Sequence, residues 1–355
     1  MEQLRLNETP VKTSKNFNIN NLKLESIVIP DKIGCFNSVE IKGNDSDKIK
    51  IDENTSNCNL TYGLGEILTN QVTMKANKKI KITIDSKTNK ELMLDFKFNK
   101  ENVNLVDLIE MVANEGTRAT IILKYESSEC IEAFHNGVFK LRAKKDSKVN
   151  IILVNLMNQN SNNFMAIENN LEENTVVNYT IVDFGGKNSI TNYYSNLQGD
   201  RCDNQLNTIY LGRDNQLFDL NYIGELRGEK SNINIEVQGA LKDKAKKNFK
   251  GTIDFKKGCK KATGNENEAC MLLSDTAKSI ALPMLLCSEE EVEGNHSSSA
   301  GKIGEKELFY IMSRGFEQKE AMKLMVKARF NKILTHIKNE ELKEKILNEI
   351  DRRLD

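Results

Sequence analysis

This 355-residue chain has no tryptophan, only three prolines (Pro10, Pro30, Pro283) and only three histidines (His135, His296, His336). It contains no apolar run near the ~20 residues that a membrane-spanning helix requires, so no bilayer span is expected. Lys+Arg and Asp+Glu both number 51, which leaves no net field to attract nucleic acid or an anionic membrane. The basic run at 242–247 is broken by an acid and lacks interleaved aromatics, so it reads as solvated surface. The cysteines (Cys35, Cys58, Cys130, Cys202, Cys259, Cys270, Cys287) form an odd, scattered set without a CxxC pair. The first residues, MEQLRLNETPVK, lack the apolar stretch of a secretory signal. Both features point to a reducing cytoplasm and free thiols. GxxxxGK[ST], GxSxG and HExxH are missing too, so nothing resembles a self-contained active site and the chain is expected not to be an enzyme.

What is present is a change of period along the chain. Residues 1–45 form a polar lead interrupted by Pro10 and Pro30, expected to be an irregular or partly helical arm. From 46 to 303 short alternating runs dominate, such as Ile80, Ile82, Ile84; Val149, Ile151, Leu153; and Ile233, Ile235, Val237. Each is β-branched or aromatic and bounded by Asn, Gly, Asp or Lys, which is the signature of strands. Residues 104–114 (NLVDLIEMVAN) fit either a short helix or a strand. So many strands in sequence suit a stack of coils, each burying its inward residues on the next; two β-sandwich domains are the competing architecture. From 304 to 355 the period becomes 3.6 and predicts a C-terminal helical domain. Gly315 fits the position that ends a first helix, and Ala321, Met322, Leu324, Met325, Ala328 and Ile333 line a second. Asn339 would cap a third, with Leu342, Ile346, Leu347, Ile350 and Leu354 on one face.

One block of residues goes beyond a fold class. It runs from Leu272-Leu273-Ser274-Asp275 through Ala277, Pro283, Val292 and His296 to Gly301-Lys302-Ile303. Leu308-Phe309-Tyr310, Ser313-Arg314-Gly315, Ala321 and Phe330 complete it, and Phe249-Lys250-Gly251-Thr252-Ile253 lies upstream. In this combination the chain resembles the SufB/SufD family of iron–sulfur cluster assembly proteins. The resemblance implies a right-handed parallel β-helix with a short N-terminal arm and a C-terminal helical domain. It also implies a non-enzymatic scaffold that docks a SufC-type ABC ATPase on the C-terminal helices and pairs, near the family's histidine, with a SufB-like chain or a second copy. The modest length and short arm look more like SufD. The chain departs from the family in carrying Gly294 where SufD members often have a cysteine, Glu268 near a SufB cysteine, and Tyr222 at a position where histidine is common. A carbohydrate-active β-helix enzyme and a generic β-solenoid binding module are the alternatives.

His296 is the leading candidate ligand, since a neutral imidazole among small polar neighbours binds iron near pH 7. One histidine cannot hold a cluster, so the expectation is no permanent cofactor, and at most a transient iron–sulfur cluster shared across a subunit interface. Cys270 reads either as a small buried hydrophobe or as a ligand or sulfur relay, and Cys287 as a small buried hydrophobe. Cys259 lies among Lys256, Lys257, Lys260 and Lys261, whose charges would lower its thiol pKa if it sat in a solvated turn. His135 and His336 are expected to be structural, and Glu289, Glu290 and Glu291 a wet turn. Phe309, Tyr310, Arg314, Gly315, Phe316, Met325 and Phe330 are the candidate partner-binding residues, because aromatics, Met and Arg are enriched at interfaces.

Overall fold

The structure, a computed structural model, describes residues 4–13, 19–25, 27–45, 47–53, 55 and 58–355. It begins with β1 (Leu4–Leu6), β2 (Leu22–Leu24), β3 (Val39–Lys42), β4 (Ile49–Asp52) and α1 (Glu66–Lys75). The body continues with β5 (Lys78–Ile84), β6 (Glu91–Phe98), β7 (Asn104–Ala113), β8 (Arg118–Ser127), β9 (Phe134–Ala143), β10 (Lys148–Leu156), β11 (Asn162–Leu171) and β12 (Val176–Asp183). Then follow β13 (Asn188–Leu197), β14 (Asp203–Gly212), β15 (Leu217–Leu226), β16 (Asn232–Leu241), β17 (Lys246–Phe255), β18 (Ala262–Leu272), β19 (Lys278–Cys287) and β20 (Val292–Lys302). Three helices close the chain: α2 (Glu305–Ser313), α3 (Gln318–Leu334) and α4 (Glu340–Leu354).

From β5 onward odd and even strands separate into two nine-stranded sheets, one ordered β20-β18-β16-β14-β12-β10-β8-β6-β3 and the other β19-β17-β15-β13-β11-β9-β7-β5-β4, with β3 and β4 at their ends. Apart from the antiparallel edge pairs β3–β6 and β4–β5, every pairing in these sheets is parallel, so the body is a parallel β-solenoid of about eight turns, not a pair of sandwiches. Residues 104–114 resolve as strand β7. The coil repeat appears in side-chain ladders, with Asn150–Asn178 separated by 28 residues and Asn265–Asn295 by 30. Alternation within each strand sends Val149, Ile151, Val177, Tyr179, Ile233 and Ile235 inward to a single continuous core.

The corners recur with the same chemistry. The turns into β8, β10, β12, β14, β16 and β18 contain Gly116, Asp146, Asn174, Arg201, Lys230 and Lys261 in the left-handed region. Each of these residues donates its backbone N–H to a carbonyl of the next coil, as Asn174 does to Asp200 at 2.8 Å and Lys230 to Lys260 at 2.9 Å. A left-handed residue costs ~1–2 kcal/mol for an L side chain, and the hydrogen bond it frees between coils offsets part of that cost.

Both outer faces are covered. On the first sheet, Ile122, Ile152, Val154, Phe184 and Ile209 pack under α3 and α4. On the second, Val106, Phe134, Phe164 and Ile190 pack under α1, β1 and β2. The described part of the arm is not helical: β1 and β2 form an antiparallel ribbon, and β3 is already an edge strand of the solenoid. The arm is held by a buried polar clasp. Asn7 Nδ2 donates to Asp219 Oδ1 at 2.7 Å, Lys250 Nζ donates to Asp219 Oδ1 at 2.6 Å and to the Asn7 carbonyl at 2.9 Å, and Asn192 Nδ2 donates to Asn7 Oδ1 at 2.9 Å. Helix α1 was not anticipated because its apolar residues are dispersed, with Leu68 and Val72 buried but Ile67 and Met74 exposed.

Candidate functional site: the open end of the solenoid

The last coil has no neighbour. β20 pairs only with β18 and β19 only with β17, so each leaves one edge free among the described residues. β20 is built almost entirely of small and polar residues and is exposed along nearly its whole length. Its inward positions are set by register: Gly294 lies beside Gly264, His296 beside Glu266, Ser298 beside Glu268 and Ala300 beside Cys270. His296 therefore stands at the mouth of the lumen, one rung above Glu266 and open to solvent.

Behind this mouth the lumen is polar. Lys247 and Glu268 are both 0% exposed and form an ion pair at 2.7 Å. Glu268 also accepts from the Tyr210 hydroxyl at 3.1 Å and from Ser298 Oγ at 2.8 Å, and Lys247 donates to the Ile280 carbonyl at 3.2 Å. Such a pair withstands desolvation because both partners make further hydrogen bonds within the lumen. Glu266, two residues away and 2% exposed, has no hydrogen-bond partner for either carboxylate oxygen. Burial, together with the like charge of Glu268, pushes its carboxyl up to about 8. Gly251 on the facing strand makes room for it, since a Cβ there would collide with the carboxylate.

Cys270 is buried beside this network, and burial raises its thiol despite the hydroxyls of Tyr210 and Ser279. It does not reach His296; it sits in register with Ala300, four residues along β20. Among the described residues no group of three or more His, Cys, Asp or Glu side chains is placed to hold a metal.

Several expectations are corrected here. Cys259 is not a reactive turn thiol: it is 0% exposed in the core, and burial pushes its thiol up to about 11, outweighing the lysines around it. Cys287, expected to be buried, is exposed and bonded to the Glu289 carbonyl at 2.9 Å. Glu289 is buried, its carboxylate held below the usual range by the backbone N–H groups of Gly258 and Glu290. Lys247, at the end of the run read as solvated surface, is a lumen residue. The 249–253 segment lies within strand β17, and Tyr222, at the position where the family often has histidine, is a buried core residue. His135 is structural as expected, clasped between Asn163 Oδ1 at 2.6 Å and Asp107 Oδ1 at 2.8 Å; His336 is exposed.

The second candidate surface divides. Helix α2 buries none of its residues. Phe309 is 73% exposed, and Tyr310, Met312, Phe316 and, from α3, Leu324 are also exposed, so the helix carries an apolar face on the outside of the molecule. Arg314 lies over the Tyr310 ring at 5.2 Å, and its guanidinium donates to the Tyr310 hydroxyl at 3.1 Å. Gly315 (φ 97°) ends α2 as expected, its N–H donating to Met312 at 2.9 Å. Phe330 does not belong to this surface: it is 0% exposed and packs against Phe184 of the solenoid. Met325 is half-buried, and the buried stripe of α3 is Ala321, Val326, Phe330, Ile333 and Leu334, rotated from the expected one, which leaves Leu324 outside.

The comparisons with known proteins agree with this architecture. Residues 96–329 match the family model described as SUF system FeS cluster assembly, SufBD core domain. Iron-sulfur cluster assembly protein SufD of Bacillus subtilis is 28% identical over 166 residues, covering 47% of this chain and 38% of that protein. An iron-sulfur cluster assembly SufBD family protein of Pyrococcus horikoshii is 31% identical over 163 residues (45% of this chain, 35% of that protein), and SufD of Escherichia coli is 23% identical over 240 residues (68% and 57%). The chain thus spans less than two thirds of each of these relatives. The two-sheet parallel solenoid, the histidine at its last rung and a family match over most of the solenoid lead to one assignment: the chain belongs to the SufBD family of SUF iron–sulfur cluster assembly proteins and is most like SufD.

Proposed function

We propose that this chain is a non-enzymatic scaffold subunit of a cytoplasmic SUF-type complex, on which iron–sulfur clusters are assembled for transfer to other proteins. The observation that carries the reading is the uncovered last coil, with two free strand edges and His296 at its inward face. A flat, unprotected edge of this kind is a template for strand pairing with another chain, and a SufB-like chain or a second copy is the proposed occupant. His296 then contributes one ligand to a transient cluster at the seam, and the partner supplies the thiolates that this chain does not present there.

The exposed apolar face of α2 is the proposed handle for a SufC-type ABC ATPase. An unpartnered aromatic and methionine face with a positioned arginine has the composition of an interface core. Nucleotide-driven movement of the ATPase would pass through α2 into α3 and α4, which are packed on the first sheet. The test is co-expression with the ATPase subunit. Wild type is expected to co-purify with it, and the double variant Phe309→Ala/Phe316→Ala to lose it while keeping its circular dichroism and melting temperature. ATPase retention by the folded double variant would overturn the docking assignment.

A further inference from the structure

Strand alternation turns the residues between the core positions of the first sheet outward, and on four successive rungs they are amides. Asn150, Asn178, Gln205 and Asn234 stand in register on β10, β12, β14 and β16. Toward the open end the same column continues as Asn265 and Asn295. Over the four amide rungs it is roofed by the last turn of α3 and by the 335–339 loop into α4. The space between floor and roof is a cleft of about 510 Å³, which is the size of a small-molecule pocket. The scaffold reading makes no use of it.

The uncommitted groups define what a ligand must be. Each side-chain amide offers two donors and two lone pairs, and few of these are used. Asn178 Nδ2 donates to Asn150 Oδ1 at 2.9 Å and Gln205 Nε2 to Asp203 Oδ1 at 2.7 Å. The Asn234 side chain has no hydrogen-bond partner among the described residues. The roof is basic, lined by Lys332, His336 and Lys338. His336 and Lys338 are exposed, and their side chains make no ion pair or hydrogen bond among the described residues. Both acids of the cleft are already engaged. Glu236 pairs with Lys332 at 3.5 Å and accepts from Gln238 Nε2 at 2.7 Å, and Glu91 accepts from Asn339 Nδ2 at 3.2 Å. A cation therefore finds no free acid here, whereas an anion finds Lys338 free, and a lysine holds phosphate as a point charge. Among the described residues no Phe, Tyr or Trp lines the cleft, so a nucleobase has nothing to stack on. Neutral donors and acceptors beneath one basic edge match a ligand with hydroxyl groups on one side and an oxyanion on the other.

We propose that this cleft binds a small phosphorylated sugar or polyol, with its phosphate at the Lys338 edge and its hydroxyl groups on the ladder of Asn178, Gln205 and Asn234. The floor belongs to the solenoid and the roof to the α3–α4 junction, so the bound molecule ties one to the other. A ligand that binds only while the roof is seated stabilises the seated state by linkage. Occupancy is therefore read as added stability of the helical domain that carries α2.

The experiment is calorimetric titration of the purified full chain with glucose 6-phosphate, ribose 5-phosphate and glycerol 3-phosphate. Each is run beside its unphosphorylated parent and beside inorganic phosphate, and the helical circular dichroism is melted with and without ligand. At least one of the three is expected to bind with one equivalent and to raise the melting temperature of the helical signal. Its parent and inorganic phosphate should each bind about tenfold more weakly or worse, since each lacks one set of hydrogen bonds. Lys338→Ala and Asn234→Ala, both at partly or fully exposed positions, should each weaken binding by about tenfold while keeping the wild-type dichroism. Lys257→Ala, at an exposed corner between β17 and β18, should bind as wild type. Absence of saturable binding by all three probes overturns the proposal, as does undiminished binding in a folded Asn234→Ala/Lys338→Ala variant. Inorganic phosphate binding as tightly as the phosphorylated sugars would overturn the assignment of the amide ladder. The scaffold reading stands or falls separately, on co-purification with the ATPase subunit.

Discussion

Truncating Phe330 separates two roles that the sequence alone allows for it. If it were a partner-binding residue, Phe330→Ala would leave stability unchanged and weaken ATPase binding. In the structure its ring is fully buried, 6.1 Å from that of Phe184, within the cluster that joins α3 and α4 to the first sheet. A buried Phe→Ala change costs ~3–5 kcal/mol, combining lost transfer energy with the cavity left behind. The polar links across the same junction cannot compensate. Lys345–Glu126 at 2.5 Å and Arg352–Glu129 at 3.1 Å are partly exposed ion pairs, each contributing ~1 kcal/mol or less. A solenoid is stabilised largely by nearest-neighbour contacts, so the damage should be local. Urea unfolding followed by far-UV circular dichroism is expected to show the helical signal lost in a separate early transition, with the strand signal melting as in wild type. A loss below about 1 kcal/mol, or a single transition at the wild-type midpoint, would refute the placement of Phe330 in the core.

Other expectations follow from named contacts. Lys247→Met strands the Glu268 carboxylate in the lumen and should cost ~3–5 kcal/mol in chemical denaturation, whereas Lys247→Met/Glu268→Leu should recover most of it; equal stability of the single and double variants would contradict the pairing. Asp219→Ala leaves Lys250 buried without its counter-charge and Asn7 without its main acceptor, so the N-terminal arm should become the first site of limited proteolysis while the body stays intact. In native protein near neutral pH, a thiol reagent should modify Cys35, Cys130 and Cys287 quickly. It should reach Cys58, Cys202, Cys259 and Cys270 only on unfolding, because burial raises all four thiols and keeps them neutral. Fast labelling of Cys259 would show that its lysine neighbours, not its burial, control it.

The fold was legible wherever the signal was local. Period-two runs such as those around Ile151 and Ile235 fixed the strands, and the change to period 3.6 after residue 304 fixed the helices, including the Asn339 cap, whose Oδ1 accepts from Leu342 N–H at 3.0 Å. What was not legible depends on register between coils. Lys247, Glu268 and Tyr210 come from three different strands, and no local pattern announces that they meet in the lumen. Cys259 misled for the same reason: its lysine neighbours in sequence dominate a linear reading, while its own side chain joins the core at the corner. Glu266 could have been noticed as an acid at an inward position of an alternating strand, two residues from Glu268, but its lack of partners shows only in three dimensions. The resemblance located His296 in the chain, and the structure adds that it sits on an open rung.

The central claim is that this open rung is a subunit seam at which His296 holds part of a transient cluster. The most direct measurement is co-expression with the ATPase subunit and a SufB-like chain, followed by native mass spectrometry and iron and sulfide analysis of wild type and His296→Ala. The account predicts a complex of unchanged stoichiometry whose iron and sulfide content falls sharply in the variant. An intact complex with undiminished cluster content in His296→Ala would contradict it.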